Sequence, residues 1–144
     1  MIEQDTIKLL RECDSGIKMG VSSIDEVLDY TRSELLKRSL VDCKVRHEQL
    51  GCDIEEQLHR FQDEGKEPCA VAKSMSWIKT NVKLVMKESD QTIADLITDG
   101  CNMGVKSLSR YLNQYQAAEE KAKDIAKKLI AQEEQLCAAV RPYL

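Results

Sequence analysis

The sequence has little of what β-sheets and loop-rich folds are built from. Its 144 residues include two prolines, six glycines and 4% aromatic residues. Ala, Leu, Glu, Lys and Gln are common instead, and these residue types favour helices. The composition therefore predicts an all-α protein. A chain of this length can form one helical-bundle domain over residues 1–144, with a core that needs no cross-links.

The sequence also lacks long apolar stretches and clustered positive charge. No run of 18 apolar residues occurs, and no basic start is followed by an apolar segment and a small-residue cleavage site. We therefore expect a cytoplasmic protein without a membrane partner. The net charge is -4, and no cluster of Lys and Arg is interleaved with aromatic residues. This charge pattern argues against a nucleic acid as partner.

The cysteines lack the paired spacing of a structural zinc site, because no Cys-x-x-Cys occurs. We interpret them as reduced thiols that pack as small apolar side chains. The alternative is a set of three disulfides, as in a small secreted protein. The six residues are Cys13, Cys43, Cys52, Cys69, Cys101 and Cys137.

Two stretches of the chain are similar to one another. Residues 16–24 and 100–108 share the pattern Gly-x-x-Met-Gly-Val-x-Ser, followed by Ile or Leu. A second match, His-Glu-Gln-Leu at 47–50 and Glu-Glu-Gln-Leu at 133–136, follows at nearly the same offset. The repeat predicts two similar helical pairs, with the extra residues of the second pair in its turn.

Apolar residues spaced three and four apart predict four long helices and a shorter one. The shorter helix begins at Pro68, where a missing N–H is tolerated, and Ser89 and Asp90 can cap the helix after it. The predicted segments are a first pair at 3–64, a crossover helix at 68–87 and a second pair at 90–141.

The turn inside the first pair carries a capping signal. Thr31 is predicted to cap the second helix, and Glu34 can complete a capping box with it. Tyr30 is then expected to pack against Leu35 as a hydrophobic staple. The crossover helix is long enough to return the chain along the bundle, and this predicts that the two tight turns lie at opposite ends.

Each long helix interrupts its apolar seam with one polar residue. Counted from the first turn, Asp14 and His47 lie at the same level, roughly 25 Å away at 1.5 Å per residue. We expect these two to form a buried ion pair or hydrogen bond. Thr98 and Glu133 likewise share a level in the second pair, and the topology decides whether all four meet.

With its two helical pairs, crossover and central polar residues, the chain resembles the ferritin-like superfamily, and it looks closest to a bacterial branch of it. The resemblance implies two pseudo-symmetric antiparallel pairs. Ferritin-like di-iron proteins use a carboxylate and a Glu-x-x-His from each pair. Here Lys44 stands three residues before His47, and Ile130 three before Glu133. The literal Glu56-x-x-His59 has no counterpart in the second pair.

The polar seam residues allow a metal site that differs from the di-iron pattern. One histidine and two carboxylates suit a single zinc, manganese or iron ion. Alternatively, the polar residues hydrogen-bond one another and fix the register of the bundle, or they lie exposed at a frayed seam. The candidate ligands are Asp14, His47 and Glu133, with Glu48 and Glu134 as secondary candidates and Thr98 beside them.

The repeated Gly-x-x-x-Gly motifs, at 16–20 and 100–104, also need an explanation. Two glycines in a helix cost about 2 kcal/mol relative to alanine. Small residues allow a second backbone to approach closely. That backbone belongs either to the pseudo-symmetric helix or to a second subunit, and the latter predicts a homodimer or homo-oligomer.

No catalytic motif emerges from these patterns. We expect a non-catalytic structural or protein-interaction module that needs no cofactor. The alternative is a metal-binding ferritin-like protein that handles iron or peroxide. The sequence neither supports nor excludes a ligand pocket between the helices.

Overall fold

The computed structural model describes residues 2–61 and 89–144. This part of the chain contains helices and no strand, and it confirms the predicted all-α bundle. The predicted crossover helix at 68–87 lies outside the described residues. The elements are α1 (Ile2–Leu28), α2 (Glu34–Arg60), α3 (Asp90–Gln114), α4 (Glu120–Val140) and a 3-10 helix (Arg141–Tyr143).

The helices form two antiparallel pairs that pack on each other. Short turns join α1 to α2 and α3 to α4, and each pair is in contact along its length. Helix α2 also packs on α4, and α1 packs on both α3 and α4. Within the described ranges, no helix combines the length and the apolar character needed to cross a membrane.

One end of the bundle is held by the first residue of α3. The carboxylate of Asp90 accepts hydrogen bonds from the backbone N–H groups of Arg32 and Ser33, at 2.8 and 3.0 Å. Helix α3 therefore begins beside the turn between α1 and α2. Ser89 caps α3 as predicted, because its side chain accepts a hydrogen bond from the N–H of Thr92.

The other end is held by the first turn of α1. The hydroxyl oxygen of Thr6 accepts a hydrogen bond from the backbone N–H of Glu119 at 2.8 Å, and the Asp5 carboxylate accepts one from Ala117 at 3.1 Å. The turn between α3 and α4 thus lies beside the start of α1. The two tight turns are at opposite ends, as predicted, and α2 and α3 run in the same direction.

The turn between α1 and α2 differs in detail from the prediction. Ser33 is the N-cap of α2, and its side chain accepts a hydrogen bond from the N–H of Leu36. The predicted cap, Thr31, is buried and instead donates to the carbonyl of Val27 at the end of α1. The predicted staple is also wrong, because Leu35 is 65% exposed. A contact from α3 holds this turn, and such a contact cannot be seen in the local sequence.

The apolar core consists of two clusters, one in each half of the bundle. On α2, for example, Leu50 belongs to one cluster and Cys43 to the other. The residues between the clusters come from the middle of the four helices: Gly20 on α1, His47 on α2, Gly104 on α3 and Glu133 on α4.

Candidate functional site

The centre of the bundle contains a buried pair of ionisable side chains. His47 is 1% exposed, and its Nε2 lies 3.0 Å from Oε1 of Glu133. The other ring nitrogen, Nδ1, lies 3.6 Å from the sulfur of Cys43, one helical turn earlier. Both nitrogens of the ring therefore have partners. We call His47 and Glu133 the central ion pair.

The surroundings of His47 favour its charged form. Burial lowers the pKa of His47, but hydrogen bonds and electrostatic interactions with Cys43 and Glu133 outweigh burial and raise the pKa to about 10. At neutral pH the imidazolium donates one N–H to Glu133 and the other to the sulfur of Cys43. An imidazolium held in this way is not available as a general base.

Two of the repeated glycines make room for the central ion pair. A Cβ atom on Gly20 would lie 3.1 Å from Cδ2 and 3.3 Å from Nε2 of His47. A Cβ atom on Gly104 would lie 3.4 Å from Cδ of Glu133. The close neighbours of these glycines are therefore side chains. Within the monomer, side chains rather than a second helix backbone are the nearest neighbours of Gly20 and Gly104, and the alternative of a contact with a second subunit stays a prediction.

The other two glycines of the motifs have few close neighbours in the described part of the chain. A Cβ atom on Gly100 would meet no atom of the described residues within 4 Å, and one on Gly16 would meet only Leu129 at 4.0 Å. Both glycines line a cavity of about 330 Å³ between α1 and α3, with the central ion pair at its floor. The repeat thus combines a tight site for the ion pair with an adjoining cavity.

Two buried thiols, Cys101 beside Glu133 and Cys13 elsewhere on α1, are weak nucleophiles. Burial raises the pKa of Cys101 above its usual range, and the hydrogen-bonded Glu133 carboxylate raises it further. Burial also raises the pKa of Cys13 to about 12, with help from Glu12 and Asp14. Both thiols stay protonated at neutral pH, and the thiolate is the reactive form. The five described cysteines are free, as expected for reduced thiols.

The predicted contact between Asp14 and His47 is wrong. Asp14 forms an ion pair with Lys18 at 2.9 Å and lines an open groove between α1 and α2. Gly20, six residues after Asp14, is the α1 residue that faces His47. Six residues correspond to about 9 Å along a helix. Residues at equal distances from the turn do not face each other, because α2 is shifted along α1.

The remaining predicted site residues do not join the central ion pair. Glu48 and Glu134 are exposed, and Glu48 lines the same groove as Asp14. Thr98 is half-buried, and its hydroxyl oxygen has no hydrogen-bond partner in the described part of the chain. Of the candidate ligands, the structure brings together His47 and Glu133.

The described residues do not fit the di-iron centre that the ferritin-like resemblance implies. Among residues 2–61 and 89–144, no three His, Cys, Asp or Glu side chains are grouped so that they could hold a metal ion. The position of the expected glutamate is taken by Lys44, whose ammonium group is 2.6 Å from Asp25. A cation at this position opposes the binding of a second cation.

Four residues contribute to this site that the polar interruptions of the seams did not predict: Cys43, Cys101, Gly20 and Gly104. Cys43 precedes His47 by four residues, a spacing that places both on one helix face, and the repeat itself marked the glycines.

Comparisons of the chain with family models, with curated proteins and with solved structures found no match.

Proposed function

We propose that this protein is a non-catalytic helical bundle that acts as a structural or protein-interaction module. The observation that supports the proposal is the central ion pair. Each nitrogen of His47 has a partner, and the charged form of the ring is favoured up to about pH 10. The central ion pair is therefore satisfied within the bundle, and we interpret it as a device that fixes the packing of the four helices.

The proposal includes a ferritin-like arrangement of two pseudo-symmetric pairs. It is supported by the tight turns at opposite ends and by the repeat, which relates Gly20 to Gly104 and His47 to Glu133. In this arrangement α1 and α2 superpose on α3 and α4 about a twofold axis. An experimental structure in which one rotation fails to bring His47 onto Glu133 and Gly16 onto Gly100 would contradict it.

Self-association is a further part of the proposal. Val41 and Val45 lie one helical turn apart on α2, and both side chains are exposed. Paired apolar residues of this kind suit an isologous contact between two copies of α2. Sedimentation velocity of the untagged protein is expected to show a dimer that Val45→Lys dissociates, and a monomer at all concentrations would contradict it.

The alternative function is the binding of a divalent iron, manganese or zinc ion. It is favoured by the proximity of His47 and Glu133, since imidazole and carboxylate are ligands for all three. Elemental analysis of protein purified without a chelating tag separates the two functions. We expect well below one metal ion per chain. A stoichiometric metal that is lost in the His47→Ala, Glu133→Ala double variant would establish the alternative.

A further inference from the structure

Two cysteines lie at facing positions of the second helical pair. Helices α3 and α4 are antiparallel, and Gly104 faces Glu133, because a Cβ atom on Gly104 would lie 3.4 Å from Cδ of Glu133. About one helical turn away, towards the start of α3 and the end of α4, are Cys101, three residues before Gly104, and Cys137, four residues after Glu133. These steps advance about 4.5 and 6 Å along the two helices. The two cysteines therefore reach the same level of the pair.

Contacts in the second pair support this placement. The thiol of Cys137 donates to Oδ1 of Asn102 over 3.9 Å, and Asn102 directly follows Cys101 in α3. Cys101 and Cys43 belong to one apolar core cluster, and Cys137 packs against that cluster. Burial and the Glu133 carboxylate raise the pKa of Cys101, and the other two thiols raise it further. Both observations agree that the thiols of this cluster lie close together.

The first pair shows what this register does to the two side chains. The repeat aligns Cys101 with Ile17, and one residue beyond its second match it aligns Cys137 with Gly51. A Cβ atom on Gly51 would lie 3.6 Å from Cγ2 of Ile17, which is van der Waals contact. A disulfide requires such close neighbours, because its two Cβ atoms lie about 3.5–4.5 Å apart. The equivalent positions of the second pair therefore suit a disulfide between α3 and α4.

Burial decides which thiol of the cluster an oxidant reaches first. Cys101 is 3% exposed and Cys43 is 6% exposed, whereas Cys137 is half-buried in the described part of the chain. The sulfur of Cys43 also lies 3.6 Å from Nδ1 of His47, which donates to it. A small oxidant therefore attacks Cys137 first, and Cys101 is the thiol that faces it across the pair.

We propose that Cys101 and Cys137 form a reversible disulfide that links α3 to α4 when hydrogen peroxide oxidises the protein. The peroxide transfers one oxygen to the sulfur of Cys137, which becomes a sulfenic acid while the O–O bond breaks and water leaves. The sulfur of Cys101 then forms the S–S bond, and its proton leaves with the hydroxyl group of the sulfenic acid as a second water. The two thiols lose two electrons, and these reduce the peroxide.

The weak nucleophilicity of Cys101 does not prevent the second step. Its fixed position beside Cys137 replaces a bimolecular encounter by a reaction within one molecule, which accelerates a step by several orders of magnitude. Thiol reductants reverse the reaction by exchange with the disulfide. This oxidation site goes beyond the structural or interaction role proposed above.

The experiment is mass spectrometry of the full chain after oxidation. Trypsin places each of the six cysteines on a separate peptide, because a Lys or Arg lies between every two of them. The reduced protein is treated with hydrogen peroxide, free thiols are alkylated, and the digest is analysed without reduction. We expect the linked peptides of Cys101 and Cys137, lighter by two hydrogen atoms than the two reduced peptides together. Dithiothreitol should separate them.

Two variants and a denatured sample locate the disulfide. Cys137→Ser should abolish the linked peptides and leave Cys101 free for alkylation. Its matched control, Cys52→Ser, makes the same change at an exposed position of α2 and should oxidise as the wild type does. Oxidation in concentrated urea should distribute the links over several pairs of cysteines, because the facing positions exist only in the folded bundle. Circular dichroism verifies that both variants are folded.

Three results would overturn the proposal. They are a free Cys101 thiol in the oxidised wild type, a predominant link between another pair of cysteines or between two chains, and the same yield of the Cys101–Cys137 link in folded and urea-denatured protein. Oxidation of Cys137 to the sulfinic acid beside a free Cys101 is an instance of the first result. None of them bears on the metal content or the dimer of the previous section, so the two proposals fail separately.

Discussion

At the scale of single residues, the main polar feature of the core is the central ion pair. Both partners lie between the two core clusters, and Glu133 is 13% exposed against 1% for His47. Bringing two charges out of water has a large desolvation penalty, which their attraction and hydrogen bonds must offset. A pair of this kind is tolerated when complete and strongly unfavourable when one member is removed.

A double-mutant cycle on the pair tests this description. His47→Leu leaves the Glu133 carboxylate without its counter-ion in the core, and we expect a loss of about 3–5 kcal/mol in the free energy of unfolding. Glu133→Leu should have a comparable effect, because it leaves the imidazolium of His47 without its counter-ion. The double variant should recover much of the loss, as urea denaturation would measure. Additive single effects would show that the two side chains do not interact.

Asp14→Leu is the informative control for that cycle. The sequence pattern predicted Asp14 as the partner of His47, whereas the structure pairs Asp14 with Lys18. We therefore expect the effects of Asp14→Leu and His47→Leu to add. Non-additive effects of these two substitutions would indicate that Asp14 and His47 are in contact, as the sequence pattern predicted.

At the scale of helices, the two positions of the Gly-x-x-x-Gly motif have different surroundings. Alanine is favoured over glycine in a helix by about 1 kcal/mol. At Gly100 no described atom opposes a Cβ, so Gly100→Ala should stabilise the protein by about 0.5–1 kcal/mol. At Gly20 a Cβ would press on the ring of His47, which is fixed by two hydrogen bonds. Gly20→Ala should therefore be destabilising.

Thermal and urea unfolding of these two alanine variants provide the measurement. The substitutions are chemically identical and both lie inside long helices, so the difference between them isolates the local environment. Equal effects at the two positions would mean that Gly20 does not make room for the central ion pair.

The helices themselves could be predicted from the sequence, because their signals are local. Apolar residues three and four apart mark the buried face of each helix, and Ser89 is a cap that needs only its own first turn. The register between helices is set by distant contacts. Asp90 binds the backbone of a turn 57 and 58 positions away, and no periodic pattern carries that information.

The candidate site was half predictable for a related reason. His47 and Glu133 could be found because each interrupts an apolar seam with a polar side chain. Their neighbours on α1 and α3 are Gly20 and Gly104. Glycine has no side chain, so a pattern of polar and apolar side chains does not indicate that these residues face the site. Asp14 and Thr98 were chosen as the nearest polar interruptions in those two helices.

At the scale of the whole molecule, the central ion pair links the stability of the bundle to pH. The pKa of His47 is about 10 in the folded protein and 6.5 without these surroundings. Because the folded value is the higher one, the stabilisation is fully present below about pH 6.5. It declines as the pH rises from 6.5 and is lost above about pH 10, where the folded protein also releases the proton.

We therefore expect the free energy of unfolding of the wild type to fall between pH 7 and 10, relative to the His47→Leu, Glu133→Leu variant. The slope of this difference should approach about 1.4 kcal/mol per pH unit, because one proton is released on unfolding in this range. Urea denaturation of both proteins at pH 6, 8 and 9.5 measures it. The double variant retains every other titratable group, so the titration of lysines and tyrosines largely cancels in the comparison. A difference that stays constant with pH would mean that His47 is neutral in the folded bundle, and its contact with Glu133 would then be a hydrogen bond between a neutral ring and the carboxylate.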